Sequence, residues 1–372
     1  MGASSLIPLE KPEPDFDKLL KVLKKEEEPD KVHFVELGVD YEVMRYIFDN
    51  LMTPGMRELP STKGRRLADW EKRLSEHVNF YYRMGYDYAP VGLPIPEMPR
   101  KFRKARDTAV LSRGERIWVE EGIGIIASWD DFERYPWDRA ERANIEEFFG
   151  FVSEILPEGM KITITSTLYE FIGENLLGRA GLFKLLYSEP DLVKAVFDRW
   201  GRIVYDLYRR ALSFECVGAI FHADDLGYKT GLDVRPEVLR ELVMPWYRKY
   251  SELAHGHGRQ FWFHSCGNVY AVMEDLIEDV RIDAFHSFQD VIMPVWEFKE
   301  RYGRRIATLG GVDMDKLARY DEGRLRSYVR FILERCMPGG GYALGSGNTI
   351  ANYVPVKNYL IMLEEGLRWR RS

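Results

Sequence analysis

Eight short apolar runs alternate with longer segments of helical periodicity, and this alternation limits the possible folds more than any other feature of the chain. The runs lie at 33–38, 86–93, 161–167, 217–224, 260–265, 282–287, 305–311 and 341–346. Most are apolar nearly throughout, as in parallel strands that are buried on both faces. Eight strands alternating with helices indicate an α/β protein with a closed (β/α)8 fold, a TIM barrel. A doubly wound open sheet is the structural alternative.

Two parts of the chain fall outside this alternation. Residues 1–32 form a proline-rich N-terminal arm that contains a short amphipathic segment, FDKLLKVLKK. A segment at about 94–160 is rich in aromatic and charged residues and is too long for one crossover. We expect it to be a mouth-side insertion with extra helices and a hairpin within GERIWVEEGIGIIASWDDFERYPW. The sequence therefore predicts an arm at 1–32 and a single barrel domain at 33–372.

Charge, hydropathy and cysteine content exclude several classes of partner. The 372 residues carry a net charge of −6 without a basic block, so we expect no nucleic-acid partner. No run of about 18 apolar residues occurs, so we expect no membrane span. The three cysteines, Cys216, Cys266 and Cys336, are too scattered for a disulfide framework and predict a reducing, cytoplasmic setting.

Reactive side chains concentrate where the predicted strands end. In barrels of this type the site lies at the C-terminal ends of the strands. The candidates at these ends are His222, Asp224, Asp225, His264, Cys266, His286, Ser346, Gly347 and Asn348. Three of the histidines follow consecutive runs, so the barrel fold predicts that they lie close together.

His264 and Cys266 form the sharpest pair. At positions i and i+2 of a strand end, both side chains can face the same side and bind one metal ion. Imidazole and thiolate suit zinc, but a catalytic zinc site needs about three protein ligands. His286 is the candidate third ligand, with Asp224 or His222 behind it. The alternative is that Cys266 is a small buried residue and His264 a hydrogen-bonded histidine without a metal.

The acidic pair that follows His222 is a second candidate feature. Asp224 and Asp225 lie where carboxylates can bind a polar substrate group or a cofactor, or transfer protons. Alternatively, one of them caps the segment that follows.

The glycine-rich turn after the last run is the third candidate feature. Ser346 and Gly347 allow a cofactor or ligand to approach the backbone closely, and Asn348 offers both a donor and an acceptor. A tight turn with helix-capping residues is an equally good interpretation of the same sequence.

From His222 onward the chain resembles the uroporphyrinogen decarboxylase superfamily, which also contains the corrinoid:thiol methyltransferases. The matching stretches are ADDLGYKTG, RPEVLRELVMPWY, FWFHSCGNV, IDAFHSFQD, LGGVD and GYALGSGN. A fainter likeness covers TLYEFIGENLLG. The His-x-Cys-Gly strand end is specific within this superfamily, and the other stretches gain weight from their order.

The methyltransferase branch implies a zinc enzyme. In that branch an His-x-Cys pair and a later cysteine hold a zinc ion that binds the acceptor thiol as thiolate, and this thiolate attacks a methyl group on a corrinoid. His264 and Cys266 match the pair, but Ser346 stands where the later cysteine is expected, so the ligand set departs from the pattern. No DxHxxG corrinoid-binding signature occurs, so the resemblance implies that the corrinoid arrives on a separate protein.

The decarboxylase branch matches less well, because VDYEVMRYIFDN replaces the arginine-containing segment expected after the first strand. Three hypotheses follow from the resemblance. The first is a methyltransferase that acts with a corrinoid protein on a small acceptor oriented by Asp224 and Asn348. The second is a lyase acting on a tetrapyrrole or another carboxylated ligand, with Asp224 and His222 as acid and base. The third is a barrel that binds a tetrapyrrole or corrinoid without turnover.

Overall fold

A parallel sheet is the centre of the molecule. The computed structural model describes residues 6–109, 111–112, 114–119 and 124–369. Its strands, in chain order, are β1 (Tyr88–Gly92), β2 (Phe102–Arg106), β3 (Glu115–Val119), β4 (Lys161–Thr165), β5 (Val217–Ala223), β6 (Gly227–Tyr228), β7 (Gly231–Leu232), β8 (Gln260–His264), β9 (Ala284–His286), β10 (Ala307–Leu309) and β11 (Tyr342–Ala343). Seven of them pair in parallel in the order β1-β4-β5-β8-β9-β10-β11. These seven coincide with the last seven predicted runs and confirm the α/β alternation there.

Helices separate the strands of this sheet. The α-helices are α1 (Phe16–Leu23), α2 (Tyr41–Asn50), α3 (Asp69–Met84), α4 (Trp129–Arg134), α5 (Trp137–Glu141), α6 (Ile145–Ile155), α7 (Tyr169–Phe171), α8 (Arg179–Ser188), α9 (Pro190–Ala211), α10 (Pro236–Leu242), α11 (Met244–Gly256), α12 (Val295–Tyr302), α13 (Met314–Arg319), α14 (Glu322–Cys336) and α15 (Val356–Arg368). Short 3₁₀ turns occupy Pro54–Met56, Pro60–Thr62 and Tyr270–Val272, and π turns occupy Ile172–Leu176 and Asp275–Val280.

The first predicted run differs from the other seven. Segment 33–38 lies beside β11 through a parallel bridge between Phe34 and Leu344, but among the described residues no backbone hydrogen bond joins it to β1. The Tyr88 hydroxyl instead binds the Glu36 N–H at 3.0 Å and the Glu36 carbonyl at 2.8 Å. A side chain thus takes the backbone groups that a closing strand pair would use, and the sheet has seven strands rather than the eight predicted.

The inner faces of the strands converge on one apolar cluster, to which α1 contributes three side chains. The cluster comprises Phe16, Leu19, Leu23, Val35, Tyr88, Ala219, Phe221, Trp262, Ala284, Ala307, Leu309 and Ala343. The Asp15 side chain caps α1 by accepting the Lys18 N–H. The Val22 carbonyl accepts the N–H of Gly341, which directly precedes β11. The helix of the N-terminal arm therefore closes the interior at the end where the strands begin.

The insertion contains the expected helices and hairpin, but the hairpin begins earlier in the chain. β2 and β3 pair antiparallel, so KFRKAR supplies the partner of ERIWV. Residues 120–123 of the predicted hairpin lie outside the described residues. The N–H groups of Ile125 and Ile126 bind the Leu176 carbonyl and tie the insertion to the loop after β4. The domain boundaries at 1–32 and 33–372 stay a prediction.

Among the helices of the described residues, none is long and apolar enough to cross a membrane.

Candidate functional site

The candidate site lies where β5, β8 and β9 end. Side chains alternate between the two faces of a strand, and Phe221, Trp262 and Ala284 belong to the inner cluster. His264 lies two positions after Trp262, and His286 two positions after Ala284. Both therefore share the inner face of the sheet at the edge where the parallel strands end, which we call the mouth. His222 has the opposite parity to Phe221 and points toward the surrounding helices.

Three side chains at this edge form a group with metal-ligand character. Donor atoms of Asp225, His264 and Cys266 lie within 4.8 Å of one another. The His264 Nε2 atom is 3.5 Å from Cys266 Sγ and 3.6 Å from Asp225 Oδ1. Neighbouring ligand atoms around a tetrahedral zinc ion lie roughly 3.3–3.7 Å apart, given bonds of about 2.0–2.3 Å. The two distances from His264 Nε2 therefore fit a zinc-sized cation, with Asp225 rather than His286 beside the predicted pair.

Electrostatics at this group are those of a cation site. Burial and the neighbouring Asp225 carboxylate raise the pKa of the Cys266 thiol well above its usual range. Burial would also raise the pKa of Asp225, but His264 and the Cys266 N–H, at 2.8 Å, stabilise the charge and bring that pKa to about 2. Asn348 donates its side-chain N–H to Cys266 Sγ at 3.0 Å. A divalent cation would reverse the repulsion that keeps the thiol protonated.

The turn that carries Cys266 is held against the β6–β7 hairpin. Gly267 has a φ of +84°, and a Cβ atom there would lie 2.3 Å from the Gly227 carbonyl oxygen. The Asn268 N–H donates to the Tyr228 carbonyl at 2.8 Å. The glycine of His-x-Cys-Gly is thus required for the close contact that fixes the Cys266 backbone.

His286 lies behind His264 and not beside Cys266. Its Nδ1 is 2.6 Å from His264 Nδ1, and its Nε2 is 3.0 Å from the Ser346 carbonyl oxygen. Burial and the charge of His264 hold the pKa of His286 well below its ordinary value. Both ring nitrogens are occupied by protein partners, so its placement does not support the prediction that His286 is the third ligand.

Asp224 and His222 are fully buried on the helix-facing side. The Asp224 carboxylate accepts the N–H groups of residues 168–170 at 2.9–3.0 Å and the Tyr247 hydroxyl at 2.6 Å. His222 lies between Asp224 at 3.1 Å and the Tyr208 hydroxyl at 2.9 Å. This placement supports the capping alternative for Asp224 and does not support acid–base roles for the two residues.

The glycine-rich turn packs against protein along most of its length. Ser346 donates its N–H and its hydroxyl to the Glu36 carboxylate at 2.8 and 2.6 Å. A Cβ atom on Gly347 would lie 2.2 Å from the Phe288 carbonyl oxygen. Of the three residues predicted here as ligand contacts, Asn348 alone reaches the Asp225–His264–Cys266 group in the described hydrogen bonds.

Two glutamates near the mouth were not among the predicted site residues. Burial raises the pKa of Glu36 to about 8, against the lowering effect of its two hydrogen bonds from Ser346. Burial, followed by the charge of Asp225, raises the pKa of Glu170 to about 9. Glu170 lies in α7, the helix that follows β4, and a polar residue shortly after a strand end is the sequence signal that could have predicted it.

Comparisons with known proteins show a family and a similar fold. The model of the uroporphyrinogen decarboxylase (URO-D) family matches residues 162–368, more than half of the chain. A methyltransferase from Methanosarcina mazei superposes with a TM-score of 0.63 at 15% identity, covering 95% of this chain and 98% of that one. A putative vitamin-B12 independent methionine synthase from Listeria monocytogenes gives a TM-score of 0.47 at 13% identity, over 92% and 96% of the two chains. No curated protein matches the chain.

Proposed function

The chain belongs to the uroporphyrinogen decarboxylase (URO-D) family, and on this premise we propose that it is a metal-dependent methyltransferase. The proposed reaction moves a methyl group from a corrinoid, carried by a separate protein, to a small acceptor. The observation that carries the proposal is the grouping of Asp225, His264 and Cys266 at the mouth. The fold shared with a Methanosarcina mazei methyltransferase supports it.

The composition of the donor group fits zinc. Imidazole, thiolate and carboxylate are all zinc ligands, and the carboxylate and thiolate charges together balance a divalent cation. Asp225 thereby supplies the negative charge that the later cysteine supplies in the methyltransferase branch and that Ser346 does not. A zinc ion at this position would bind an acceptor thiol and stabilise it as the nucleophilic thiolate.

The residues around the group hold the donors and control access. Asn348 orients Cys266 Sγ and, by donating an N–H, favours its charged form. Asp225 accepts the Cys266 N–H, which keeps its carboxylate directed toward His264. Asp225 and Cys266 are partly exposed whereas His264 is buried, so an acceptor would approach the group on the side of Asp225 and Cys266.

The rim of the mouth carries apolar side chains suited to a protein partner. Tyr228, at the end of β6, is 59% exposed, and Val291, in the loop after β9, is 70% exposed. Tyr228 belongs to the hairpin that packs on the Cys266 turn through Asn268. A separate corrinoid protein that delivers the methyl group at this edge would contact these two side chains.

Metal content of the purified protein is the first test. We expect about one zinc per chain in the wild type, loss of zinc in His264→Ala/Cys266→Ala, and weakened retention in Asp225→Asn. The matched control is Cys216→Ala/His255→Ala, which removes the same two residue types away from the strand ends and should keep the metal. Absence of bound zinc from wild-type protein, even after incubation with zinc, would refute the proposal.

Activity is tested with free methylcobalamin as the methyl donor and a small thiol as the acceptor. We expect the visible absorption of the corrinoid to change in the presence of the wild type. It should not change in the presence of His264→Ala/Cys266→Ala. A rate for His264→Ala/Cys266→Ala equal to that of the wild type would contradict the assignment.

A further inference from the structure

A buried chain of hydrogen bonds runs from Glu36 to His264. The Glu36 carboxyl group is hydrogen-bonded to both the N–H and the hydroxyl of Ser346. The Ser346 carbonyl contacts His286 Nε2 at 3.0 Å, and His286 Nδ1 contacts His264 Nδ1 at 2.6 Å. The side chains of Glu36, Ser346 and His286 are buried.

The direction of each hydrogen bond follows from its partners. A carbonyl oxygen can only accept, so the proton between His286 and Ser346 belongs to His286 Nε2. Neither nitrogen of His286 faces a carboxylate that would stabilise a second proton, so the ring is neutral and its Nδ1 is an acceptor. His264 must then donate its Nδ1–H to His286, and the lone pair of a neutral His264 lies on Nε2. That is the nitrogen that faces Cys266 and Asp225.

We propose that His286 is a positioning residue that fixes His264 in the Nδ1–H tautomer and so directs its Nε2 lone pair to the metal position. Ser346 and Glu36 hold His286 in turn. In metal sites a ligand histidine commonly donates its second N–H to a protein acceptor, which sets the tautomer and the ring orientation. Here that acceptor is a second histidine, and Ser346 binds this histidine instead of acting as a metal ligand.

Two further features show that the chain of hydrogen bonds is fitted closely. A Cβ atom on Gly310 would lie 2.2 Å from the Ser346 carbonyl oxygen and 2.9 Å from His286 Nε2, so only glycine leaves room for their contact. Glu36 binds Ser346 on both its N–H and its hydroxyl, and the Ser346 carbonyl accepts the Gly311 N–H at 3.1 Å as well as bonding to His286, so Ser346 is held from several sides.

The tautomers can be read directly, without metal or activity. Two-bond ¹H–¹⁵N spectra of ¹⁵N-histidine-labelled apoprotein distinguish the Nδ1–H and Nε2–H forms of each ring. We expect a proton on Nδ1 of His264, whether or not Nε2 also carries one toward Asp225, and a proton on Nε2 alone of His286. The signals are assigned by their loss in His264→Ala and His286→Asn. An Nε2–H form of neutral His264, or a protonated His286 at neutral pH, would overturn the proposal whether or not the protein binds zinc.

The effect of His286 on metal affinity rests on the proposed function. It is measured by titrating the apoprotein with Co²⁺ and monitoring the sulfur-to-cobalt charge-transfer absorption. We expect His286→Leu to weaken Co²⁺ binding roughly 10–100-fold, and His286→Asn, whose amide oxygen can replace Nδ1 as acceptor, to recover most of it. The control is His33→Leu, which removes a buried histidine bound to Asp87 at the opposite end of the strands and should leave Co²⁺ affinity unchanged. Equal affinity in His286→Leu and wild type, or equal losses in His286→Leu and His33→Leu, would overturn the positioning role. Failure of the wild type to bind any metal would refute the proposed function, while the tautomer measurement would still decide the inference.

Discussion

Replacing Glu36 by glutamine is expected to change how the free energy of unfolding depends on pH. Glu36 is fully buried, and burial raises its pKa from 4.5 to about 8 despite two hydrogen bonds from Ser346. The folded protein therefore keeps a proton on Glu36 in a pH range where the unfolded chain has released it. The contribution of Glu36 to the free energy of unfolding has its full value below pH 4.5 and is lost as the pH rises through 8. An ion-paired carboxylate shows the reverse dependence on pH.

The magnitude follows from the two pKa values. Each pH unit between them lowers the free energy of unfolding by about 1.4 kcal/mol, which amounts to roughly 5 kcal/mol over the whole interval. Glutamine keeps an acceptor for the Ser346 N–H and offers an N–H to the Ser346 hydroxyl, but it does not titrate. The stability of the wild type relative to Glu36→Gln should therefore fall by about 3 kcal/mol between about pH 5.5 and about pH 7.5.

Urea denaturation of both proteins across this pH range measures the difference. The matched control is Glu365→Gln. Burial opposes the ionisation of Glu365, but Arg330 and Arg326 lower its pKa from 4.5, so its contribution should stay constant in the same range. If the difference between wild type and Glu36→Gln were also constant, Glu36 would be ionised in the folded protein. The two hydrogen bonds from Ser346 would then outweigh the cost of burial, contrary to our reasoning.

Three further substitutions test the packing and the site. Phe16→Ala should lower the free energy of unfolding by about 3–5 kcal/mol in urea denaturation, because the ring is buried against Trp262. The control Phe102→Ala replaces an exposed ring and should change the free energy of unfolding little. Equal effects of the two substitutions would contradict the placement of α1. Asp224→Asn should lower the free energy of unfolding by about 2–4 kcal/mol, because it weakens an acceptor of several backbone N–H groups. The zinc content should stay unchanged, and a loss of zinc would show that Asp224 serves the site. Gly310→Ala should lower the free energy of unfolding by at least about 1–2 kcal/mol, because φ is +78° and the new Cβ atom would clash with the Ser346 carbonyl. A melting temperature equal to that of the wild type would exclude this contact.

The strands were predictable from the sequence because their signal is local. A near-continuous apolar run between helical segments needs both faces buried, and the last seven runs all became strands of one parallel sheet. Segment 33–38 has the same local signal. It does not join a second neighbour because the hydroxyl of Tyr88, some fifty residues further along the chain, binds the Glu36 backbone. Such a contact leaves no trace in the local pattern.

The candidate site was predictable in position but not in every member. In VGAIFHAD both faces of the strand are apolar, so the alternation that would show whether His222 points inward is missing. Asp224 and Asp225 are adjacent carboxylates that the sequence does not distinguish. Burial and the N–H groups of residues 168–170 select Asp224 as the cap, which leaves Asp225 for the site. The pairing of His264 with Cys266, in contrast, depends on i, i+2 spacing alone and could be predicted.

Helix α1 constrains the order in which the chain can fold as it is synthesised. Phe16, Leu19 and Leu23 leave the ribosome long before β11, but the surface that buries them includes Leu309 and Ala343. Until β11 has emerged, these apolar side chains have no complete binding surface and stay open to proteases and chaperones. A stable domain fused to the C-terminus keeps the chain attached to the ribosome after β11 has emerged, which gives β11 time to dock. The fusion should therefore protect the N-terminal arm of nascent chains from proteases. A truncation before residue 341 should leave the arm cleavable.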